Sequence, residues 1–278
     1  MSIYISSLNS GSNGNCYYIG NQHEAVLIDA GLSCRETETR MSRLGLSMYK
    51  VKAIFVSHEH SDHTRGVGVI TRKYKIPVYF SPLTHENSRL HLDKNFIRYF
   101  RTNIPVNIGE LSINAFPKLH DASEPHSFTV SGNGITIGVL TDIGSICENV
   151  ASNFSQCNAA FLEANYDEEM LEKGSYPIYL KKRIQSDHGH LSNDQSLELF
   201  TKFKPEFMSH LLLSHLSQDN NDPRLVRDLF TKHAGETHIA IASRHQESAV
   251  YFINGEKAGN RVKFTVDPML KCTQMTLF

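Results

Sequence analysis

The 278-residue sequence predicts an α/β domain in which two β-sheets pack face to face with helices outside them. Three observations predict it. Short strand-like runs alternate with helix-like ones along the whole chain. No repeat of roughly 20–50 residues marks a solenoid or propeller. No Pro/Gly/Ser-rich linker divides the chain, so residues 1–278 are expected to form a single domain, and a 40% hydrophobic composition suffices for its core.

The elements follow in order. "SIYISSL", "NCYYIG" and "AVLIDAG" are rich in β-branched and aromatic residues and are broken by "NSGSNG" and "NQHE", which predicts an opening meander of three strands. "SCRETETRMSRLGL" reads as a helix, "AIFVSH" as a strand, "RGVGVITRKYK" as a helix and "IPVYFSP" as a strand. Further strands are expected at "ELSINAFP", "FTVSG", "ITIGVLTD", "AAFLEAN", "LLLSH", "HIAIAS" and "AVYFIN". Helices should start near Asp167, near Ser192 and at Asp222, where Asp222–Pro223 supplies a cap and a favoured first residue.

Composition excludes several classes. With 28 basic against 29 acidic residues the chain is no indiscriminate polycation, so any basic surface must be local. Its five cysteines are odd in number and lack a CxxC pair, which argues against a disulfide framework and a thiolate zinc site. No basic-then-apolar leader and no apolar run of about 18 residues is present, so the expectation is a cytoplasmic protein with no membrane partner.

"VSHEHSDHTRG" places His58, His60, Asp62 and His63 within six positions, at a strand-to-helix junction where side chains converge beyond the strand's carboxyl end. Imidazole and carboxylate together suit Zn²⁺, Mn²⁺ or Fe²⁺, and four such ligands exceed what one open catalytic ion needs from a single loop. Two adjacent metals are therefore expected. The remaining ligands should also close apolar runs: His120 after "ELSINAFP", Asp142 at the end of "ITIGVLTD" and His215 at the end of "LLLSH". Taken singly, a histidine after a strand is more often a hydrogen-bonded structural residue; the set in order is the signal.

That order, HxHxDH, then a lone His, an Asp closing a strand and a late His, resembles the metallo-β-lactamase superfamily. The resemblance implies a four-layer αββα sandwich with the metals at one sheet edge. It also implies that His58, His60 and His120 hold one ion, Asp62, His63 and His215 the other, and Asp142 bridges them, with a hydroxide between. "SLNSGSNGNCYYI", "SHEHSDHTRGVGV", "LEANYDEEML" and "YPIYLKKRIQSDHGHLSN" are similar to the bacterial YycJ/WalJ/VicX group, which implies 5′-to-3′ exonuclease action on DNA and a link to DNA repair. His188 departs from that group's pattern, which leaves its role open. The stretch between Asp142 and His215 is filled by strands and helices, so no inserted cap domain is expected.

Two cations would lower the pKa of a shared water from 15.7 towards about 7 and polarise a phosphoryl oxygen. Asp62 can orient the hydroxide, and His190, just before the cap of a helix, is the candidate proton donor to the leaving oxygen. Asn15, Lys182 and Arg183 are candidate phosphate contacts. Residues 65–101 carry eight basic side chains against two acidic ones, which reads either as a nucleic-acid surface or as the wet face of helices. A small-molecule phosphodiester, thioester or lactone is the alternative substrate class.

Overall fold

A computed structural model describes residues 2–255. Its first half builds one sheet. β1 (Ile3–Asn9), β2 (Cys16–Gly20) and β3 (Ala25–Ile28) run antiparallel as the expected meander. Helix α1 (Cys34–Arg43) then carries the chain over to β4 (Val51–Phe55), parallel to β3. Helices α2 (Ser61–Thr64) and α3 (Val67–Tyr74) lead to β5 (Val78–Phe80), and α4 (Pro82–Asn87) to β6 (Ile97–Tyr99).

The second sheet opens antiparallel with β7 (Val106–Ile108), β8 (Leu111–Pro117), β9 (His126–Gly132) and β10 (Ile135–Leu140). It becomes parallel through α5 (Glu148–Phe154), β11 (Ala159–Glu163), α6 (Glu168–Lys173), α7 (Ile178–Ile184), α8 (Asn193–Phe203), β12 (His210–Ser214), α9 (Pro223–Thr231) and β13 (His238–Ile241). β14 (Tyr251–Ile253) returns to pair with β1. The strand orders are β14-β1-β2-β3-β4-β5-β6 and β13-β12-β11-β10-β9-β8-β7, seven strands each among the described residues.

Three apolar layers hold these elements together. Ile5, Tyr17, Ile28 and Phe55 of the first sheet meet Phe128, Val130, Ile137 and Phe161 of the second. Leu27, Ile54 and Val78 pack outward on Met41, Val67 and Ile70 of α1 and α3. Leu162, Leu211 and Leu213 pack outward on Phe154, Phe200 and Phe230 of α5, α8 and α9. This is the four-layer αββα sandwich that the resemblance implies. The parallel strands are covered on both faces, which is why "AAFLE" is buried at every position.

The expected caps are present: Asp167 accepts from Met170 N–H, Asp222 from Arg224 N–H, and Ser192 with Gln195 forms a capping box. "YLKKRI", readable as strand or helix, lies in α7, none of whose residues is buried. Elements absent from the sequence reading are short: β6 and β7 span three residues each and none is buried. Cys16 and Cys34 are buried free thiols, Cys157 is buried, and Cys272 lies outside the described residues. Among the described residues no helix is long and apolar enough to cross a membrane.

Candidate metal centre

Parallel pairing sets the site. The carboxyl ends of β3, β4, β10, β11 and β12 share one edge of the sandwich, and the chain leaves them at Asp29, His58, Asp142, Glu163 and His215. Asp29, Asp142 and His215 have φ of 60°, 53° and 57°, a left-handed backbone that non-glycine residues seldom adopt. Such strain, repeated at three converging strand ends, is characteristic of functional sites.

After β4 the chain turns at Ser57 and enters α2 with His60 at its N-cap, which sets His58, His60, Asp62 and His63 around one point. Gly31 lets α2 come this close, since a Cβ there would lie 1.6 Å from Asp62 O. Four ligand-type clusters overlap: His58, His60 and His120; His58, His63 and Asp142; Asp62, His63 and His215; and Asp142, Glu163, His190 and His215. His58 Nε2 is 3.0 Å from His60 Nδ1. Asp142 stands between the groups, with Oδ2 3.3 Å from His63 Nε2 and Oδ1 3.4 Å from His215 Nε2 and 4.0 Å from His120 Nε2. All seven expected ligands thus meet at one place.

Each ring is held from behind. His63 Nδ1 is 2.7 Å from Asp29 Oδ2, and Asp29 also accepts from Ser57 N–H and Oγ–H, both at 2.8 Å. His58 Nδ1 is 2.9 Å from Ser57 Oγ, and His120 Nδ1 donates to Gly189 O at 3.0 Å. His215 Nδ1 is 3.2 Å from Glu163 Oε1. The inward atoms His120 Nε2, His215 Nε2 and Asp142 Oδ2 are buried without hydrogen-bond partners. A mixed imidazole–carboxylate set with its outer nitrogens fixed and inner atoms unsatisfied fits divalent cations.

Charge divides the rings. Burial pushes His58 and His120 well below the usual imidazole range. Burial also opposes charging of His63 and His215, but it is outweighed by Asp142 with Asp29 and Asp62 at His63, and by Asp142 with Asp62 and Glu163 at His215. His63 rises well above its ordinary value and His215 to about 10. The imidazoliums in turn hold Asp142 well below the usual carboxylate range against its burial.

His190 flanks this centre just before the cap of α8. Its Nδ1 lies 2.7 Å from Glu163 Oε1, and its ring is stacked on His215 at 5.2 Å. It lines a cleft of about 220 Å³ with Ser12, Tyr176, Arg183 and His215. Glu163 and Asp29 were not singled out from the sequence, although each is an acid closing a wholly buried apolar strand, the same signal that marked Asp142.

The expected phosphate contacts are placed differently. Asn15 is fully buried; its amide donates to Asp62 Oδ2 at 3.2 Å and lies 3.0 Å from His63 Nε2, so it braces the metal loop instead of facing the cleft. Arg183 lines the cleft but is paired with Asp121. Lys182 is exposed on α7, as is His188 beyond it. Within residues 65–101, Lys73 pairs with Glu38 at 2.6 Å, and Arg65 and Arg98 donate to backbone carbonyls, so those three cations are already engaged within the protein.

The model of the Beta-lactamase superfamily domain matches residues 24–215. The chain is 35% identical to Exodeoxyribonuclease YycJ of Bacillus anthracis over 82% of its own length and 87% of that relative's. It is 32% identical to Exodeoxyribonuclease WalJ of Streptococcus pneumoniae serotype 2, over 85% and 90% of the two chains. Among solved structures it resembles the metallo-β-lactamase fold protein YhfI of Bacillus subtilis, with a TM-score of 0.69 at 14% identity, covering 91% and 100% of the two chains.

Proposed function

Because the chain belongs to the β-lactamase superfamily and, within it, to the family of the YycJ and WalJ exodeoxyribonucleases, we propose that it is a dinuclear metal-dependent phosphodiesterase that degrades DNA 5′ to 3′. The observation that carries the reading is the pair of ligand-type groups on either side of Asp142, with unsatisfied nitrogens turned inward and His190, backed by buried Glu163, lining the cleft.

His58, His60 and His120 would hold one Zn²⁺ or Mn²⁺, Asp62, His63 and His215 the second, with Asp142 shared between them. When bound, such a pair activates water near neutral pH and neutralises charge on a phosphoryl group. The chain's own residues do the rest. Asn15 fixes Asp62, so its carboxylate keeps one direction towards the attacking water. Glu163 accepts from His190 Nδ1–H, which leaves Nε2 of the doubly protonated ring to hand its proton to the leaving oxygen, the ring becoming neutral with Nδ1–H still on Glu163. Ile143 N–H also donates to Glu163, at 2.6 Å, so the carboxylate that orients His190 is itself fixed.

The test is incubation of 5′- and 3′-labelled single- and double-stranded DNA and RNA with Mn²⁺ or Zn²⁺. A ladder of mononucleotides released from the 5′ end of DNA, lost in Asp142→Asn, is expected. Turnover of a model phosphodiester with every polymer left intact would overturn the nuclease reading.

A further inference from the structure

Beyond β13 the chain folds back over the loop after β1. Ser10 N–H donates to Ser243 O at 3.1 Å, and the Asn13 amide donates to Arg244 O at 2.8 Å. These bonds bring Arg244 against Gly11, where a Cβ would lie only 3.2 Å from Arg244 Cβ, and set its Nη2 3.5 Å from Ser12 Oγ. Nη1 is buried and has no hydrogen-bond partner. The acid of the same loop, Glu247, faces Arg43 at 3.6 Å, and no carboxylate among the described residues pairs with Arg244.

A guanidinium donor shielded from water and left unsatisfied is costly unless a ligand completes it. Arg244 lines a cleft of about 310 Å³ that shares Leu216 and Ser217 with the cleft holding His190 and His215. The two are also linked through Ser10, whose Oγ accepts from His215 N–H at 2.7 Å. A planar fork of donors with a hydroxyl beside it suits a phosphate.

We infer that Arg244, with Ser12, binds a phosphate of the substrate other than the one attacked, and so selects nucleic acid over small phosphodiesters. The inference rests on the nuclease reading. A compact ester with one phosphate cannot occupy both clefts, whereas a strand carries a phosphate on every nucleotide. That second phosphate is either a 5′-terminal monoester or the neighbouring diester.

The experiment compares wild type, Arg244→Gln and Arg244→Lys on three substrates: bis(p-nitrophenyl) phosphate, and one oligodeoxynucleotide with a 5′-phosphate or a 5′-hydroxyl. The Gln variant should raise KM for oligonucleotide roughly 10- to 100-fold, leave the model ester unchanged and melt as wild type does, with Lys recovering part of the loss. A loss confined to the 5′-phosphorylated strand identifies the terminal phosphate; an equal loss on both strands identifies the diester. Calorimetric binding of deoxythymidine 3′,5′-bisphosphate against the 5′-monophosphate reads the same contact without turnover. Wild type should favour the bisphosphate and Arg244→Gln should not, so Arg244 is decided even if no polymer is cleaved and the nuclease reading falls. Equal loss on the model ester and the oligonucleotides, no loss on either, or an unchanged bisphosphate preference would overturn the inference; if Gln does not fold, Lys carries the same comparisons.

Discussion

At the scale of single residues, the proposed function separates groups that would hold metal from a group that would move a proton. His190 touches Glu163 through Nδ1 and lies outside the seven proposed ligands, so His190→Ala should lower kcat about 10²- to 10⁴-fold while metal content, measured by mass spectrometry, stays at wild-type level. Loss of metal in that variant would make His190 a ligand instead. Glu163→Gln keeps the shape but removes the charge that faces both His190 and His215; kcat should fall and the acid limb of its pH profile should move, with the fold intact by circular dichroism. The clustering of the seven proposed ligands was legible because four stand in one hexapeptide and the other three close apolar runs in a recognisable order. Glu163, Asp29 and the bracing role of Asn15 were not, because a lone acid or amide carries no spacing signal until the fold shows what it touches.

At the scale of elements, the start of α8 couples stability to the site. Ser192 is fully buried, and its hydroxyl accepts from Gln195 N–H at 3.2 Å within a capping box two residues after His190. Ser192→Ala should cost about 1 kcal/mol in chemical denaturation and also lower kcat, because the turn that aims His190 loosens. Gly31→Ala is expected to act on the opposite wall: its Cβ would collide with Asp62 O, push α2 away and deplete the metal ion that Asp62 is proposed to hold. Retention of two equivalents of metal in Gly31→Ala would show that α2 accommodates the methyl group. Long apolar strands and capped helices were legible because burial and caps leave marks in sequence. α5 begins at Cys147 without a side-chain cap, and β6 and β7 are too short for a periodic pattern, so their positions depend on neighbours the sequence does not name.

At the scale of the whole molecule, the proposed ligands come from both sheets. His58, His60, Asp62 and His63 follow β4 of the first sheet, while His120, Asp142 and His215 follow β8, β10 and β12 of the second. Metal bound by them would therefore clamp the sandwich at one edge. At a free concentration about 1,000 times Kd it would add about 4 kcal/mol, or roughly 8–16 °C in Tm, over chelated protein. Proton linkage sets how that gap varies with pH. In metal-free protein His63 and His215 are raised from the ordinary value near 6.5, His215 to about 10. Their stabilisation is complete below about pH 6.5 and is lost as pH rises towards the folded value, because the folded state then binds protons the unfolded chain has released. Lys118, whose ammonium is pushed down by burial, acts in the opposite sense at the alkaline end. Protein loaded in the proposed way would carry no proton on those inward nitrogens, and its metal affinity would rise with pH as fewer protons must be displaced. Scanning calorimetry with Mn²⁺ and with chelator should therefore show the two melting temperatures diverging from pH 6.5 to 9, metal-free protein falling faster. A gap that stays constant or narrows would mean that the imidazoles of His63 and His215 do not bind the ion.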